Sequence, residues 1–165
     1  MTVFGLLIAL AFVLSYLESL IPIAAVGFFV PGMKIGLANI VVMVALYTLG
    51  YKDAFILSVV RVLLVGMTFG NMVSMWYSLA GSIFSFCVMA LLKKTDWFSM
   101  IPVSIAGGIF HNVGQICIAM LILETAGVFA YLPVLFVSGV ITGTVIGILG
   151  GEVARRIKRA IPDMS

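Results

Sequence analysis

The feature that most constrains this chain is a series of long apolar segments separated by short polar breaks. The segments cover residues 2–20, 35–50, 54–70, 73–92, 100–123 and 130–152. A membrane-spanning helix needs about 20 mostly apolar residues, because the hydrocarbon core of a bilayer is about 30 Å thick. We therefore predict an all-α integral membrane protein of about six transmembrane helices, which form a single membrane domain over residues 1–165.

Composition supports this class and excludes others. The chain is 64% hydrophobic and 9% charged, whereas soluble domains carry about a quarter charged residues. It has no basic stripe on a soluble face, so we expect no nucleic-acid partner. Cys87 and Cys117 lie in apolar segments without a metal-binding spacing and are interpreted as small core residues. His111 is the only histidine, and without a second suitably placed ligand it predicts no metal or cofactor.

The segment 21–34 is apolar but too short to cross the membrane. It contains Pro22, Gly27, Pro31 and Gly32. We predict a re-entrant or surface-lying loop between the first two helices, which is tolerated where protein or water covers its backbone. Its Pro and Gly residues would serve as hinges if the loop acts as a gate.

The positions of the basic residues predict the orientation. Cytoplasmic N- and C-termini would place most lysines and arginines on the cytoplasmic side, as the positive-inside rule requires. These residues are Lys52, Lys93, Lys94, Arg155, Arg156, Lys158 and Arg159. The basic tail, residues 153–165, would contact anionic lipid headgroups. We predict a multi-pass protein of the cell membrane, in bacteria the plasma membrane.

Polar residues inside the predicted spans follow helical spacing, so each set shares one helix face. The sets are Ser58, Arg61 and Thr68; Asn71, Ser74, Ser78, Gly81 and Ser85; and Ser104, Gly108, His111 and Gln115, with Asn112 at the edge. Lipid tails offer polar groups no hydrogen-bond partners, so these helix faces should contact each other or line a cavity. For the serines and glycines, close helix packing is an alternative. The packing interpretation applies best to the glycine series Gly139, Gly143, Gly147 and Gly151.

Arg61 and His111 each allow two interpretations. A charge at mid-membrane costs at least about 2.5–3.5 kcal/mol, and a side chain that only packs would not need to carry one. Arg61 is either a structural residue paired with helix-end carbonyls or with Glu18, or a cation that faces a ligand. His111 is either a satisfied interior imidazole or a substrate contact.

Lys34 stands just before the second predicted helix. Helix N-termini favour anions, so a lysine beside exposed N–H groups suits a bound phosphate or carboxylate. Alternatively, Lys34 extends to the outer headgroups. Glu18, at the outer end of the first predicted span, is either the ion-pair partner of Lys34 or a further ligand contact.

Together these residues predict an outward-facing site for a polar or anionic solute. The predicted substrate-binding residues are Glu18, Lys34, Asn39, Arg61, Asn71, His111, Asn112 and Gln115.

Five stretches resemble the Gx transporter family, also called heptaprenyl diphosphate synthase component I. They are "SYLESLIP" (15–22), "PGMKIGLANI" (31–40), "RVLLVGMTFGN" (61–71), "YSLAG" (77–81) and "HNVGQ" (111–115). The family is in turn similar to the S components of energy-coupling-factor transporters. Those are six-helix membrane proteins that capture a vitamin-like solute and dock on a shared module of one membrane subunit and two ATPases.

The resemblance implies a non-enzymatic substrate-binding subunit whose first helix docks on the module through small residues. The matching candidates are Gly5 with Ala9 and Ala11 with Ser15. The chain has no Walker motif, so a partner must supply the energy for uptake. The synthase name implies an alternative, a non-catalytic membrane accessory subunit of heptaprenyl diphosphate synthesis.

Overall fold

The computed structural model describes residues 2–20 and 36–160, and this part of the chain is all-α with no strand. Lys34, the predicted loop at 21–34 and the end of the basic tail lie outside the described residues. The helices are α1 (Thr2–Ser19), α2 (Leu37–Thr48), α3 (Tyr51–Thr68), α4 (Met72–Lys94), α5 (Met100–Leu123) and α6 (Leu132–Ala160), with a 3₁₀ turn at Ala126–Tyr131 before α6. The predicted class of all-α membrane protein is confirmed.

Three stretches of the described chain are long and apolar enough to span a membrane, by length and composition. They are α4, α5, and the 3₁₀ turn taken together with α6. The helix α1 is a shorter apolar helix, and α2 has only 12 residues. At 1.5 Å per residue α2 is about 18 Å long, which is less than the hydrocarbon thickness.

Glycines in a non-helical conformation flank the short helix α2 on both sides. Gly36 precedes it with a φ of 81°, and Gly50 follows it with a φ of 97°. Both values lie in the left-handed region that side chains with a Cβ avoid. The predicted apolar segment at 35–50 therefore contains a helix of only Leu37–Thr48, because the apolar pattern alone does not show where the backbone turns.

The helix α2 lies at the centre of the bundle. Its residues from Val41 to Leu46 are buried on every side, and α1, α3 and α6 pack against it. Met43 and Leu46 are among the largest fully buried side chains, together with Leu57 of α3 and Val103 of α5. The apolar core is thus built around α2 rather than around the long helices.

The helices α5 and α6 approach each other closely along the predicted glycine series. A Cβ added to Gly139, Gly143 or Gly147 would lie 2.9, 2.6 or 2.8 Å from backbone atoms of α5. Real Cβ contacts essentially never come under 3.0 Å. Gly151 meets only the Met100 Sδ, at 3.4 Å. The predicted packing role is confirmed for the first three glycines of the series.

One end of the bundle carries a basic cluster around Lys93. Its Nζ donates to the Leu46 carbonyl oxygen at the end of α2. The same nitrogen lies 4.9 and 4.5 Å from the ring centroids of Tyr47 and Tyr51, and the charge of Lys158 acts on it. The C-terminal ends of α2, α4 and α6 and the start of α3 therefore share this end, as the predicted grouping of the basic residues requires.

Candidate functional site

A cavity of about 400 Å³, here called the main cavity, lies toward the opposite end of the bundle. Its wall includes the last turn of α1, the starts of α2 and α4, the end of α3, and parts of α5 and α6. Seven predicted site residues line it: Glu18, Asn39, Arg61, Asn71, His111, Asn112 and Gln115. The eighth, Lys34, lies outside the described residues. That a solute binds there stays a prediction.

Helical spacing explains why α5 contributes several of these residues. Gly108, His111 and Gln115 follow each other at intervals of three and four residues, and Asn112 adjoins them. Residues at these intervals share one face of a helix. The start of α4 supplies Asn71, Ser74 and Ser78 to the same cavity by the same rule.

Arg61 is the buried cation of the site, with 8% of its surface exposed. Its Nη2 donates to the Oδ1 of Asn39 at 3.0 Å. Its Nε is buried and has no hydrogen-bond partner. Glu18 acts on Arg61 electrostatically, but the two side chains form no ion pair within 4.0 Å. Within residues 2–20 and 36–160, Arg61 therefore forms no ion pair with Glu18 and no hydrogen bond with a helix-end carbonyl, and the amide of Asn39 orients the guanidinium.

Glu18 is the buried carboxylate of the site, with 6% of its surface exposed. Its Oε1 accepts a hydrogen bond of 2.5 Å from the backbone N–H of Gly36, at the start of α2. A carboxylate is favourable at a helix N-terminus, where N–H groups lack partners inside the helix. Glu18 therefore positions α2 while it also lines the main cavity. The predicted pairing with Lys34 falls on a residue outside the described range.

Two of the site asparagines also have structural roles. Asn71 caps α4, because its side chain accepts a hydrogen bond of 2.7 Å from the backbone N–H of Ser74. Asn112 donates from Nδ2 to the Leu135 carbonyl oxygen at 2.6 Å and so joins α5 to α6. Both amides have further hydrogen-bonding groups for a ligand, since each offers two N–H donors and a carbonyl oxygen.

His111 packs directly against α4. A Cβ added to Gly81 would lie 3.0 Å from both Cε1 and Nε2 of the His111 ring. The glycine thus creates the space that the imidazole occupies beside the main cavity. Within the described residues no group of three His, Cys, Asp or Glu side chains could hold a metal ion.

Two further residues, Ser15 and Thr142, line the main cavity although the sequence did not predict that they contact a solute. Their hydroxyls donate to the carbonyl oxygens four residues earlier, those of Ala11 and Ser138. The signal for Ser15 was present, because it lies three residues before Glu18 and shares its helix face.

The two pairs of residues predicted to dock on a partner differ in their exposure. Ala11 is fully buried, with 0% exposed, and Ser15 faces the main cavity. This pair faces the interior because of the helical phase of α1. Docking of α1 on a partner stays a prediction. Gly5 and Ala9, the other pair, are exposed.

A smaller chamber of about 20 Å³ continues from the main cavity and shares Asn39, Gly108, His111 and Ile146 with it. Four serines line it: Ser58, Ser82, Ser85 and Ser104. Its volume suffices for one water molecule, which needs about 10–15 Å³. The Ser82 Oγ is buried and has no partner. Three of these serines belong to the predicted polar faces.

Thr68 departs from the predicted polar face of α3. Its side chain is exposed, and its Oγ1 donates to the Leu64 carbonyl oxygen at 2.7 Å. A threonine in a helix can satisfy its hydroxyl in this way without facing a cavity.

All the described residues that line the main cavity fall within one family match. The sequence model of a family described as heptaprenyl diphosphate synthase component I matches residues 7–153. This chain belongs to that family. The match covers most of this chain, including all seven site residues on the main cavity, and confirms the resemblance to the Gx transporter family. No curated protein and no solved structure matches it.

Proposed function

We propose that this chain is the substrate-binding membrane subunit of a small-molecule uptake transporter, similar to the S components of energy-coupling-factor transporters. It captures a polar or anionic, vitamin-like solute from outside the cell. The observation that carries the proposal is the main cavity, on which polar side chains from different helices converge.

The size and lining of the main cavity support binding rather than packing. Its volume of about 400 Å³ falls within the range of about 300–1,000 Å³ that is usual for small-molecule sites. A bundle that only needed to pack would place apolar side chains there, since buried charges cost several kcal/mol each. Instead Arg61 and Glu18 are both buried on this wall.

The position of the main cavity supports uptake from outside. It lies toward the end of the bundle opposite Lys93, whose neighbourhood gathers much of the basic charge. By the positive-inside rule the basic end is cytoplasmic. The main cavity then opens outward, both termini are cytoplasmic, and the protein is a multi-pass component of the plasma membrane.

Uptake would depend on a partner, because the sequence contains no Walker motif. We propose a module of one membrane subunit and two ATPases, docked on the exposed face of α1. Gly5 and Ala9 lie on that face, and Gly5 has no heavy atom within 4 Å of an added Cβ. A neighbouring helix could therefore approach closely there. The chain itself would not be an enzyme.

The family name favours a second candidate function, a non-catalytic accessory subunit of heptaprenyl diphosphate synthesis. Synthesis of that kind needs acidic clusters that hold magnesium, and Asp53, Asp96 and Asp163 are widely separated in the chain. The catalytic residues would then belong to another subunit.

The decisive experiment is gentle purification of the intact protein, followed by mass spectrometry of small molecules and proteins that remain bound. The transport proposal predicts a retained solute and associated ATPase subunits. Lys34→Ala and Arg61→Gln should each reduce solute retention, whereas Arg155→Gln, which alters an exposed arginine, should not. Loss of prenyl-chain synthesis in deletion lysates supplied with saturating precursors, without any retained solute, would favour the accessory role instead.

A further inference from the structure

We propose that the main cavity binds a cyclic-amide edge of its solute, an N–H beside a C=O, through the side chain of Gln115. The inference rests on the proposed function and specifies the substrate class of the same site. It starts from the position of Gln115, a buried amide on the cavity wall with 8% of its surface exposed.

Gln115 lies deep in the bundle, and its amide has no protein partner there. It stands eight residues before Leu123, the last residue of α5, which is about 12 Å at 1.5 Å per residue. Its side chain forms no hydrogen bond with the rest of the described chain, and both of its polar atoms keep accessible surface. Because Gln115 lines the main cavity, a solute can reach both atoms. A buried amide is costly unless it is hydrogen-bonded, so a partner in the cavity stabilises it.

The amide of Gln115 is complementary to another amide. Its Oε1 accepts hydrogen bonds and its Nε2 donates two. The N–H and C=O of a cyclic amide lie side by side in one plane, so the two groups can form two parallel hydrogen bonds with Gln115. A carboxylate could use only the Nε2 side, because it has no proton to donate to Oε1. Gln115 therefore favours an uncharged amide edge at this position on the wall.

Two asparagines of the same cavity have orientations that their partners fix. The Asn39 Oδ1 accepts from Arg61, which can only donate, so Asn39 leaves its N–H groups for a solute. The Asn112 Nδ2 donates to the Leu135 carbonyl oxygen, which can only accept, so Asn112 leaves its Oδ1. The wall thus offers donors from α2 and an acceptor one helical turn from Gln115. A solute with both N–H and C=O groups matches this pattern.

The end of α3 supplies an apolar surface for the ring of such a solute. Phe69 lines the main cavity, together with Val62 and Val65. The ring centroid of Phe69 lies 5.5 Å from that of Phe12 and 5.6 Å from that of Tyr16, which is a favourable range for aromatic pairs. These contacts with α1 hold the Phe69 ring in place. A planar cyclic amide could therefore lie against α3 while α5 supplies its hydrogen bonds.

The test observes Gln115 directly, because it is the only glutamine in the chain. Labelling with side-chain ¹⁵N-glutamine gives one pair of amide N–H signals in the full-length protein. The dialysed protein in detergent micelles is titrated with 2-pyridone, a planar cyclic amide, and with N-methyl-2-pyridone, which lacks the N–H. We expect a saturable shift with 2-pyridone and an apparent affinity at least about tenfold weaker for the methylated probe, because the Gln115 Oε1 is then left unpaired.

A matched pair of variants separates recognition from folding. Gln115→Met keeps nearly the length of the side chain but has no amide. Its binding, measured by saturation transfer to the probes, should lose the preference for 2-pyridone. Thr68→Val changes an exposed residue of α3 outside the cavity wall and should keep the preference. If Gln115→Met does not fold, the titration of the labelled wild type still decides the inference.

The outcomes separate this inference from the proposed function. No saturable shift of the Gln115 signals, equal affinities of the wild type for the two probes, or an unchanged preference in folded Gln115→Met would overturn the amide inference. If the purified protein still retains a solute in that case, the transport function stands with another mode of recognition. A selective response to 2-pyridone in a protein that retains no solute and binds no ATPase subunit would support the Gln115 site and count against the transport function.

Discussion

The close contact between α5 and α6 at Gly143 can be tested by its effect on the stability of the protein. We expect Gly143→Ala to destabilise the protein, although alanine is the better helix former. The built Cβ would lie 2.6 Å from the Cα of Ile105 and 2.7 Å from the carbonyl oxygen of Ser104. Both are backbone atoms, so no side-chain rotation can relieve the clash and the two helices must separate.

The magnitude follows from comparison with Gly5→Ala. Non-bonded carbon atoms prefer separations of about 3.5–4.0 Å, so at Gly143 the helices must move apart by about 1 Å. Overpacking of this kind costs about 1–3 kcal/mol. At Gly5, which has no heavy atom within 4 Å of an added Cβ, the same substitution should stabilise the helix by about 0.5–1 kcal/mol. The gain in helix propensity applies to both positions and cancels, so the free energies of unfolding of the two variants should differ by the overpacking cost of about 1–3 kcal/mol.

Denaturant unfolding in detergent micelles, followed by tryptophan fluorescence, measures this difference. Gly143→Ala should unfold at a lower denaturant concentration than the wild type, and Gly5→Ala at the same or a higher concentration. Solute retention should also fall in Gly143→Ala, since its neighbours Thr142 and Ile146 line the main cavity. Equal stability of the two variants would refute the close approach of α5 and α6.

Three further predictions concern single side chains, each measured by the same unfolding assay. Glu18→Ala should lower the free energy of unfolding by about 1–3 kcal/mol because the Gly36 N–H loses its acceptor. Glu18→Gln keeps an acceptor oxygen and should lower it by less. Equal losses in the two variants would contradict the hydrogen bond. Lys93→Met should cost about 1–3 kcal/mol through the lost hydrogen bond and ring contacts, whereas exposed Lys94→Met should change little. Ser82→Ala should be neutral or stabilising, because it removes a buried hydroxyl without a partner; a loss above about 1 kcal/mol would indicate a bound water or a partner that the hydroxyl needs.

The sequence was sufficient to predict the all-α membrane class and most of the cavity wall. Apolar length predicts helices because lipid leaves the backbone few other ways to satisfy its hydrogen bonds. Polar residues at helical spacing, such as His111 and Gln115, then have to share a face. Arg61 stood out because its charge would otherwise be exposed to hydrocarbon.

The features that the sequence did not predict depend on contacts between helices. The rotation of α1 places Ala11 inside and Gly5 outside, and Ser15 and Glu18 were too short a polar face to predict this rotation with the rest of the helix. The apolar segment around α2 gave no sign that Gly36 and Gly50 end the helix so early. The hydrogen-bond partners could not be predicted from the spacing of polar residues either, because the acceptor for Arg61 lies 22 residues away on another helix.

The short helix α2 has a consequence for how the site could open. An acidic side chain from α1 holds its first turn, and a basic side chain from α4 holds its last, so opposite charges match the two poles of its dipole. The part of the main cavity wall that α2 contributes is thereby held at both ends. If the main cavity admits a solute, we expect distance probes placed across α2 to stay constant while probes between α1 and α4 change.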